Sequence, residues 1–587
     1  METTRTMLTN NRLFKKIVGF VPAMFAAFIV VSCGGGGGGG ATSNSTAVVT
    51  PPPVDPDTPA VPSTPVAHVT FVDATLAAGL DFSHGLQGET MAGMVAAGVA
   101  IGDYNDDGWL DLFLAQGNTG FNKLYENRSH GGSYGFVDVA VDAGVAGDFS
   151  DKASGPAFVD YDGDDDVDLF VGSVENSAFR VFDNLGDGSF ADVTNSCGLS
   201  DIGRENNIGM AFGDYDQDAD LDLFIGHWTF TENELPAGST RHLWRNNGDG
   251  SFSDVSDPTL ITDTIIEESN DYTFSPTFAD IDSDGDPDLL VVADNTTSQV
   301  LINDGDVGGG LYTFRYATDR DVITDDAGMG SSVADFDNDG DLDWFVSSIS
   351  LGDSVDRPSG KDNAGFNLSG NRLYRNEGNG VFTDQTDSAG VRKGYWGWGS
   401  CAADFNNDGF LDIFHVNGMD EPNTNAYLED PSRLFINNAD GTFTEYAEPL
   451  GLVDRKSGRG VTCFDGDQDG DIDILIANNN DTARLFRNDG GNQLNYINVR
   501  LRSQAPNTRA VGARIYVTSG GMTQLREIHN GSNYVSQNPA EQHFGLGNAT
   551  QIEIVRVVWP DGSETSRTNV QPYQRVMVSY PDVWSTD

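Results

Sequence analysis

The sequence predicts an all-β protein: a seven-bladed β-propeller followed by a small C-terminal β domain. Three observations carry this. An acidic nonapeptide of the form D-x-D/N-x-D-G-x-x-D recurs seven times with small variations. A segment ending in asparagine follows each copy. A short strand opened by phenylalanine follows six of the seven.

The acidic copies start at 103, 160, 214, 280, 335, 404 and 465, at intervals of 57, 54, 66, 55, 69 and 61 residues. The second element runs NKLYEN, FRVFDN, RHLWRN, SQVLIN, NRLYRN, SRLFIN and ARLFRN, closing on Asn127, Asn184, Asn246, Asn303, Asn376, Asn437 and Asn488. The third element is FVDVA at 136, FADVT at 190, FSDVS at 252, FRYAT at 314, FTDQT at 382 and FTEYA at 443. Each repeat therefore reads as four short strands, with alternating apolar residues bounded by Gly, Asn and Asp turns. Four-stranded units at this period are propeller blades.

The missing seventh copy of the third element stands in front of the array, as FVDAT at 71. It is expected to complete the last blade and close the ring, which removes two exposed sheet edges. The alternative is an open solenoid with one incomplete blade.

The acidic copies place oxygen donors at positions 1, 3, 5 and 9 of a tight loop. These are Asp103, Asn105, Asp107 and Asp111 in the first; Asp160, Asp162, Asp164 and Asp168 in the second; Asp214, Asp216, Asp218 and Asp222 in the third. They continue as Asp280, Asp282, Asp284 and Asp288 in the fourth; Asp335, Asp337, Asp339 and Asp343 in the fifth; Asp404, Asn406, Asp408 and Asp412 in the sixth; and Asp465, Asp467, Asp469 and Asp473 in the seventh. Position 7 adds a backbone carbonyl. Hard oxygen donors in that number suit calcium, up to seven ions, one per blade, rather than magnesium with its strict octahedron. An EF-hand needs a glutamate at position 12 and flanking helices. Here position 12 is Leu114, Val171, Ile225, Val291, Val346, His415 or Ile476, and the flanks read as strands. Clustered carboxylates repel one another unless a cation sits among them. Position 6 is glycine except for Asp165 and Ala219. Alanine resists the left-handed conformation most, so the third loop is expected to bind most weakly.

The chain is strongly acidic, with 33 Lys and Arg against 89 Asp and Glu, a net charge of −56. That argues against nucleic acid as a partner. Halophilic adaptation would also give such a balance; the placement of the acids points to ion binding. Of four cysteines, Cys33 belongs to an export signal, and Cys197, Cys401 and Cys463 leave room for one disulfide that sequence cannot assign.

Lys15 and Lys16 precede the apolar run 17–32, which ends Val-Val-Ser-Cys33 and runs into polyglycine. This is the order of a secretory signal, and the run is short for a membrane span. It resembles the lipobox of bacterial lipoproteins, which implies cleavage before Cys33, a lipid on its thiol, and membrane contact through that lipid only. Gly34 in place of an aspartate then implies the outer membrane. An ordinary secreted protein is the alternative. Residues 34–67, rich in Gly, Ser, Thr and Pro, read as a tether of about 30–35 Å average reach. The propeller is assigned to 68–490 and the tail domain to 491–582.

The metal loops fall on one propeller face, leaving the other for recognition. Its longest connections, 226–240, 347–370 and 415–431, hold Trp228, Phe230, Phe366 and Tyr427. Six blades carry a glycine five residues before the first aspartate: Gly98, Gly155, Gly209, Gly330, Gly399 and Gly460, with Ser275 the exception. The preceding residues, Ala97, Ser154, Ile208, Phe274, Met329, Trp398 and Arg459, are expected to ring the channel mouth. There Trp398 and Arg459 would stack on a sugar or peptide, or the ring would simply fill the channel.

From 494 onward there are eight arginines and seven acids. The segments YINVRL, ARIYVTSGG, IEIVRVVWP and RVMVSY read as strands. NTRAVGARIYV, HFGLG at 543–547 and VWPDG at 558–562 resemble the ASPIC/UnbV domain. The upstream loops resemble FG-GAP or VCBS repeats, as in integrin α propellers. Together, over 68 to about 582, the two resemble bacterial members of the cartilage acidic protein family. That resemblance implies an extracellular calcium-binding propeller. The family's ligand is poorly defined. Apart from the resemblance, the expected function is surface binding or adhesion to a glycan or protein, with a polysaccharide-active enzyme or a structural envelope subunit as alternatives. No nucleophile elbow, zinc motif or phosphate loop is present, and of eight histidines only His227 and His415 fall at the starts of the long connections.

Overall fold

The computed structural model describes residues 69–586, apart from 87–90, 132, 149–150, 176, 203–205, 229–240, 262–270, 351–367, 420–426, 428 and 532. The expected signal, Cys33 and the tether lie outside the described residues. Residues 69–490 form seven four-stranded antiparallel units, the second and third joined into one larger sheet where Asn207 pairs with Ser173. Their first strands are Val99–Gly102, Ala153–Val159, Asn207–Gly213, Thr273–Ala279, Ser331–Ala334, Gly397–Ala403 and Gly458–Phe464. Each packs beside the next, and the seventh returns to the first, so the ring is closed. The seventh unit takes its fourth strand from the start of the array. Phe71–Asp73 pairs antiparallel with Arg484–Asn488, in the register Phe71 to Asn488, as the displaced FVDAT predicts.

First and second strands are buried on both faces, which is why they read as near-continuous apolar runs. Every junction between units has its own apolar cluster. Phe113 and Leu124 of the first unit meet Phe158 and Leu169 of the second. Phe224 and Leu243 of the third meet Leu289 and Leu301 of the fourth. A Cys401–Cys463 disulfide joins the first strands of the sixth and seventh units, leaving Cys197 free and buried.

Two polar devices repeat around the ring. The asparagine that ends each third strand donates through its side chain to the carbonyl of loop position 2 in the preceding unit, at 2.7–2.9 Å in all seven cases. The same amide reaches the position 8 carbonyl of its own loop at 2.9–3.4 Å. Asn127 closes the circle on Gly466 of the seventh unit. Asparagine alone among short side chains offers two donors beside an acceptor, which explains its recurrence.

The second device is the glycine of the first strand. A Cβ at Gly98, Gly155, Gly209, Gly330, Gly399 or Gly460 would come within 3.0 Å of the carbonyl oxygen of the residue before the equivalent glycine in the next unit. Ser275, the exception, instead donates its hydroxyl to that carbonyl, Met329 O, at 2.6 Å.

The tail domain is two four-stranded sheets. One orders Gln542–Gly547, Asn495–Arg502, Gln574–Ser579 and Val583–Thr586. The other orders Met522–Glu527, Arg514–Ser519, Ile552–Val558 and Glu564–Val570. Asn495–Arg502 and Gln574–Ser579 are parallel, the remaining pairs antiparallel. Ile497, Val499, Ile515, Val517, Phe544, Val555 and Val576 fill the space between them. The strand Val583–Thr586 carries the domain past the expected boundary at 582.

Candidate metal centres

The seven acidic loops share one backbone shape. Position 6 has φ between +74° and +96° in every loop, including Asp165 at +83° and Ala219 at +74°. Position 4 is also left-handed, at +53° to +77°, and is filled by Asp106, Gly163, Gln217, Ser283, Asn338, Asn407 and Gln468. The sequence reading saw the first requirement and missed the second. Six of the seven are polar side chains, mostly the short ones that tolerate this region, so no glycine signal marked it.

The position 1 carboxylate organises the turn. In six loops it accepts the N–H groups of positions 5 and 6 at 2.7–3.2 Å. In the second loop Gly163 takes the place of position 5. The position 9 carboxylate accepts the N–H of the third-strand asparagine at 2.6–2.8 Å throughout. Loop, second strand and third strand are thus knotted at one buried aspartate.

Carboxylate oxygens converge in five loops, each set lying within 4.8 Å. Positions 1, 3 and 9 meet in the second loop (Asp160, Asp162, Asp168) and the fourth (Asp280, Asp282, Asp288). Positions 1, 3 and 5 meet in the third (Asp214, Asp216, Asp218), fifth (Asp335, Asp337, Asp339) and seventh (Asp465, Asp467, Asp469). The first and sixth loops carry Asn105 and Asn406 at position 3, so an amide oxygen replaces one carboxylate there.

Burial, and then the neighbouring carboxylates, push these acids up. Asp111, Asp168, Asp222, Asp412, Asp465 and Asp473 lie well above the ordinary aspartate value. Asp288, Asp343 and Asp404 rise to about 8, and Asp214 and Asp335 to about 7. Such groups stay ionised at neutral pH only beside a positive charge. The donor set is entirely oxygen, which fits a hard divalent cation.

Part of that positive charge comes from the tail domain, which covers the loop face. Arg500 sits 3.7 Å from Asp103, and Arg514 3.4 Å from Asp280. Arg502 pairs with Asp165 and lies 3.7 Å from Asp106. Arg526, buried, draws down Asp335 and Asp404 electrostatically. Thr508 donates to Asp160, and Asn498 to Asp465 at 3.0 Å.

The tail also enters the channel. Residues 530–531 and 533–538 meet the inner edges of the ring. Asn530 and Gly531 bridge Phe212 and Ala211, and Gln537 clasps Phe158 through its side-chain amide at 2.6 and 2.8 Å. Val99 N–H donates to Val535, and Ser536 and Asn538 receive the N–H groups of Val461 and Cys463. Unpaired strand edges inside the ring thereby find partners. Tyr534, at the tip, packs on Phe274 and Trp398 with centroids 5.3 and 5.5 Å away and donates to Val95 O at 3.0 Å.

This corrects the expected ligand ring. Phe274, Met329, Trp398 and Arg459 are 1–3% exposed. They line a filled channel, not an open mouth. Arg459 stacks on Trp398 itself, 3.9 Å from the ring centre, and donates to Met94, Gly418 and Gly458 carbonyls. Trp228 is likewise buried, stacked on Phe274, and Tyr427 packs on Trp396. Phe230 and Phe366 lie outside the described residues. His227 and His415 are buried in strands, where desolvation lowers their pKa to about 4 and about 3.

Among known proteins, the FG-GAP-like repeat matches residues 103–171, 160–225, 236–291, 280–346 and 362–415, and ASPIC and UnbV matches 503–583. The chain is an FG-GAP repeat propeller joined to an ASPIC and UnbV domain. It is homologous to cartilage acidic protein 1. Identity to the Mus musculus protein is 30% over 260 residues, 34% of this chain and 39% of the relative. Identity to the Homo sapiens protein is 30% over 259 residues, 34% and 38% respectively. The chain thus matches about two-fifths of those relatives' length. Of solved structures, an Agrocybe aegerita lectin recognising terminal N-acetylglucosamine aligns at TM-score 0.36 and 15% identity, covering 75% of this chain and 94% of that one. A Penicillium chrysogenum α-L-arabinanase aligns at 0.34 and 10%, covering 72% and 98%. No helix among the described residues is long and apolar enough to cross a membrane.

Proposed function

We propose that this chain is an extracellular, calcium-loaded recognition module, anchored by a lipid on Cys33, rather than an enzyme. The observation that carries the reading is the repetition of one loop. Seven turns of the same backbone shape present side-chain oxygens at positions 1, 3, 5 and 9, carboxylate except at Asn105 and Asn406, with the position 9 carboxylate buried in every loop. Calcium would be held by these residues, with the position 7 carbonyl. It would supply the charge that lets the first and second strands of each blade meet at the loop between them. The role is structural, and the surface so held is the functional part.

Glycan or protein is the class of ligand, carried to the chain from outside the cell. A glycan array and a pull-down from envelope extract, each with calcium and with chelator, test this. Calcium-dependent capture is expected, and turnover of a polysaccharide by the purified chain would contradict it. Incorporation of labelled fatty acid, abolished in Cys33→Ser, tests the anchor.

A further inference from the structure

Position 4 of the acidic loops is not among the expected ion donors, yet in four loops its side chain reaches the next blade. Asn338 of the fifth loop donates its amide to the position 6 carbonyl of the sixth, Gly409 O, at 3.0 Å. Asn407 of the sixth donates to Gly470 O of the seventh at 3.0 Å. Gln468 of the seventh donates to Gly108 O of the first at 2.9 Å. Gln217 of the third reaches Gly285 O of the fourth at 3.4 Å and donates also to Asp286. These four residues share φ of +56° to +59°, the left-handed turn that carries the side chain out of its own loop.

The receiving peptide is tied to the donors of its own site. The position 6 N–H donates to the position 1 carboxylate at 2.7–3.2 Å. The N–H of position 7, on the far side of the same peptide unit, donates to the position 5 carboxylate at 2.9–3.1 Å. An amide on the carbonyl therefore fixes and polarises the peptide that orients Asp107, Asp284, Asp408 and Asp469. Among the described residues Gly409 O and Gly470 O have no other donor, whereas Gly108 O also accepts from Arg500 and Arg575 at 3.2 and 3.0 Å.

Among the described residues the other three junctions lack the link, each for a chemical reason. Gly163 of the second loop has no side chain. Ser283 of the fourth accepts from Arg514 of the tail at 3.1 Å. Asp106 of the first is itself an acceptor, and Arg509 of the tail donates to Asp165 O of the second loop in its place, at 2.7 Å.

We infer that the position 4 amide is a positioning residue for the ion site of the next blade, so that the fifth, sixth, seventh and first loops load calcium as one coupled series and the third and fourth as a pair. Position 4 lies between two donors of its own loop, at positions 3 and 5. A loop held by its ion fixes that residue, and the fixed amide lowers the ordering cost of the next loop. By reciprocity each member of a linked pair tightens the other. The inference rests on the calcium reading above and gives it a regulation.

The test is hydrogen exchange of the full chain at increasing free calcium, read by mass spectrometry on peptides covering each loop, which gives every loop its own midpoint. Asn338→Gly removes the amide and leaves a residue that suits the backbone, as Gly163 does in the second loop. The sixth-loop midpoint should rise about fivefold, with the second and third loops unchanged within about twofold. Asn338→Gln, the residue of the third and seventh loops, should restore it. Asp339→Asn takes one carboxylate from the fifth loop and should weaken the sixth by a similar factor. Asp284→Asn takes the same charge from the fourth loop and should leave the fifth within about twofold, because Ser283 passes nothing on. A sixth-loop midpoint unmoved by Asn338→Gly would overturn the inference. So would a Gln variant that restores nothing, equal shifts in all seven loops, or equal neighbour effects of Asp339→Asn and Asp284→Asn. If no loop gains protection with calcium, the calcium reading itself fails; if every loop does so independently of its neighbours, only the coupling fails.

Discussion

Replacing Asn376 tests whether the repeated asparagine is the clamp between blades. Its amide donates to Ile281 O of the preceding blade at 2.8 Å and to Leu342 O at 3.3 Å, and its oxygen accepts Gly378 N–H at 3.0 Å. Gly378 is half-buried and its N–H can turn to water. The two carbonyls cannot. Each stranded buried acceptor costs roughly 1–3 kcal/mol, less for the longer bond, so Asn376→Ala should lose about 2–4 kcal/mol. Asn376→Asp keeps the shape but turns a donor into a second acceptor. It sets a charge against two carbonyls and beside Asp343, which already accepts the Asn376 N–H. It should therefore be the more damaging of the two. The assay is urea unfolding in saturating calcium, followed by tryptophan fluorescence, comparing midpoints at constant slope. An Asp variant as stable as the parent would refute the clamp. An Ala variant more damaging than Asp would point to lost packing instead.

Three further outcomes follow from the same structure. Ala219→Gly relieves a residue held at φ +74° and should stabilise by about 1 kcal/mol. Calorimetry should then show the weakest calcium site tightened by about fivefold. Tyr534→Ala empties the channel tip and should cost about 3–5 kcal/mol, read as a lower melting temperature and faster proteolysis of the ASPIC and UnbV domain. In chelator, stability should fall with pH. Burial raises Asp214 to about 7 and Asp288 and Asp343 to about 8 in the folded chain, against about 3.9 unfolded. The folded state then binds more protons, so its stability is complete below the unfolded value and is lost as pH rises through 7 to 8. In calcium, which needs the ionised forms, the trend should reverse.

The repeat made most of the propeller readable. The displaced FVDAT strand announced ring closure, and Asp at 1, 3, 5 and 9 announced the loops, because both are spacings along the chain. What the spacing could not say is what lies across a gap. The seven asparagines and six glycines were visible, but their partners belong to the next blade. The tail was the larger miss. Its eight arginines and seven acids stand in a chain of net charge −56, but charge counts alone do not say which face of the propeller the tail covers. The channel segment, 530–531 and 533–538, gave no signal at all. It is short, polar and aperiodic, and its hydrogen bonds go to strand edges that exist only once the ring has formed. Trp398 and Arg459 looked like binding residues because the plug that covers them arrives from more than seventy positions downstream.

The most direct measurement is the melting temperature of the purified chain before and after exhaustive dialysis against EDTA, with metal content determined by elemental analysis at both points. Divalent ions as structural parts of the loops predict several calcium ions per chain at the start, a fall of many degrees on their removal, and recovery when calcium is restored. A chain that carries no metal and melts unchanged in chelator would contradict the account at its centre.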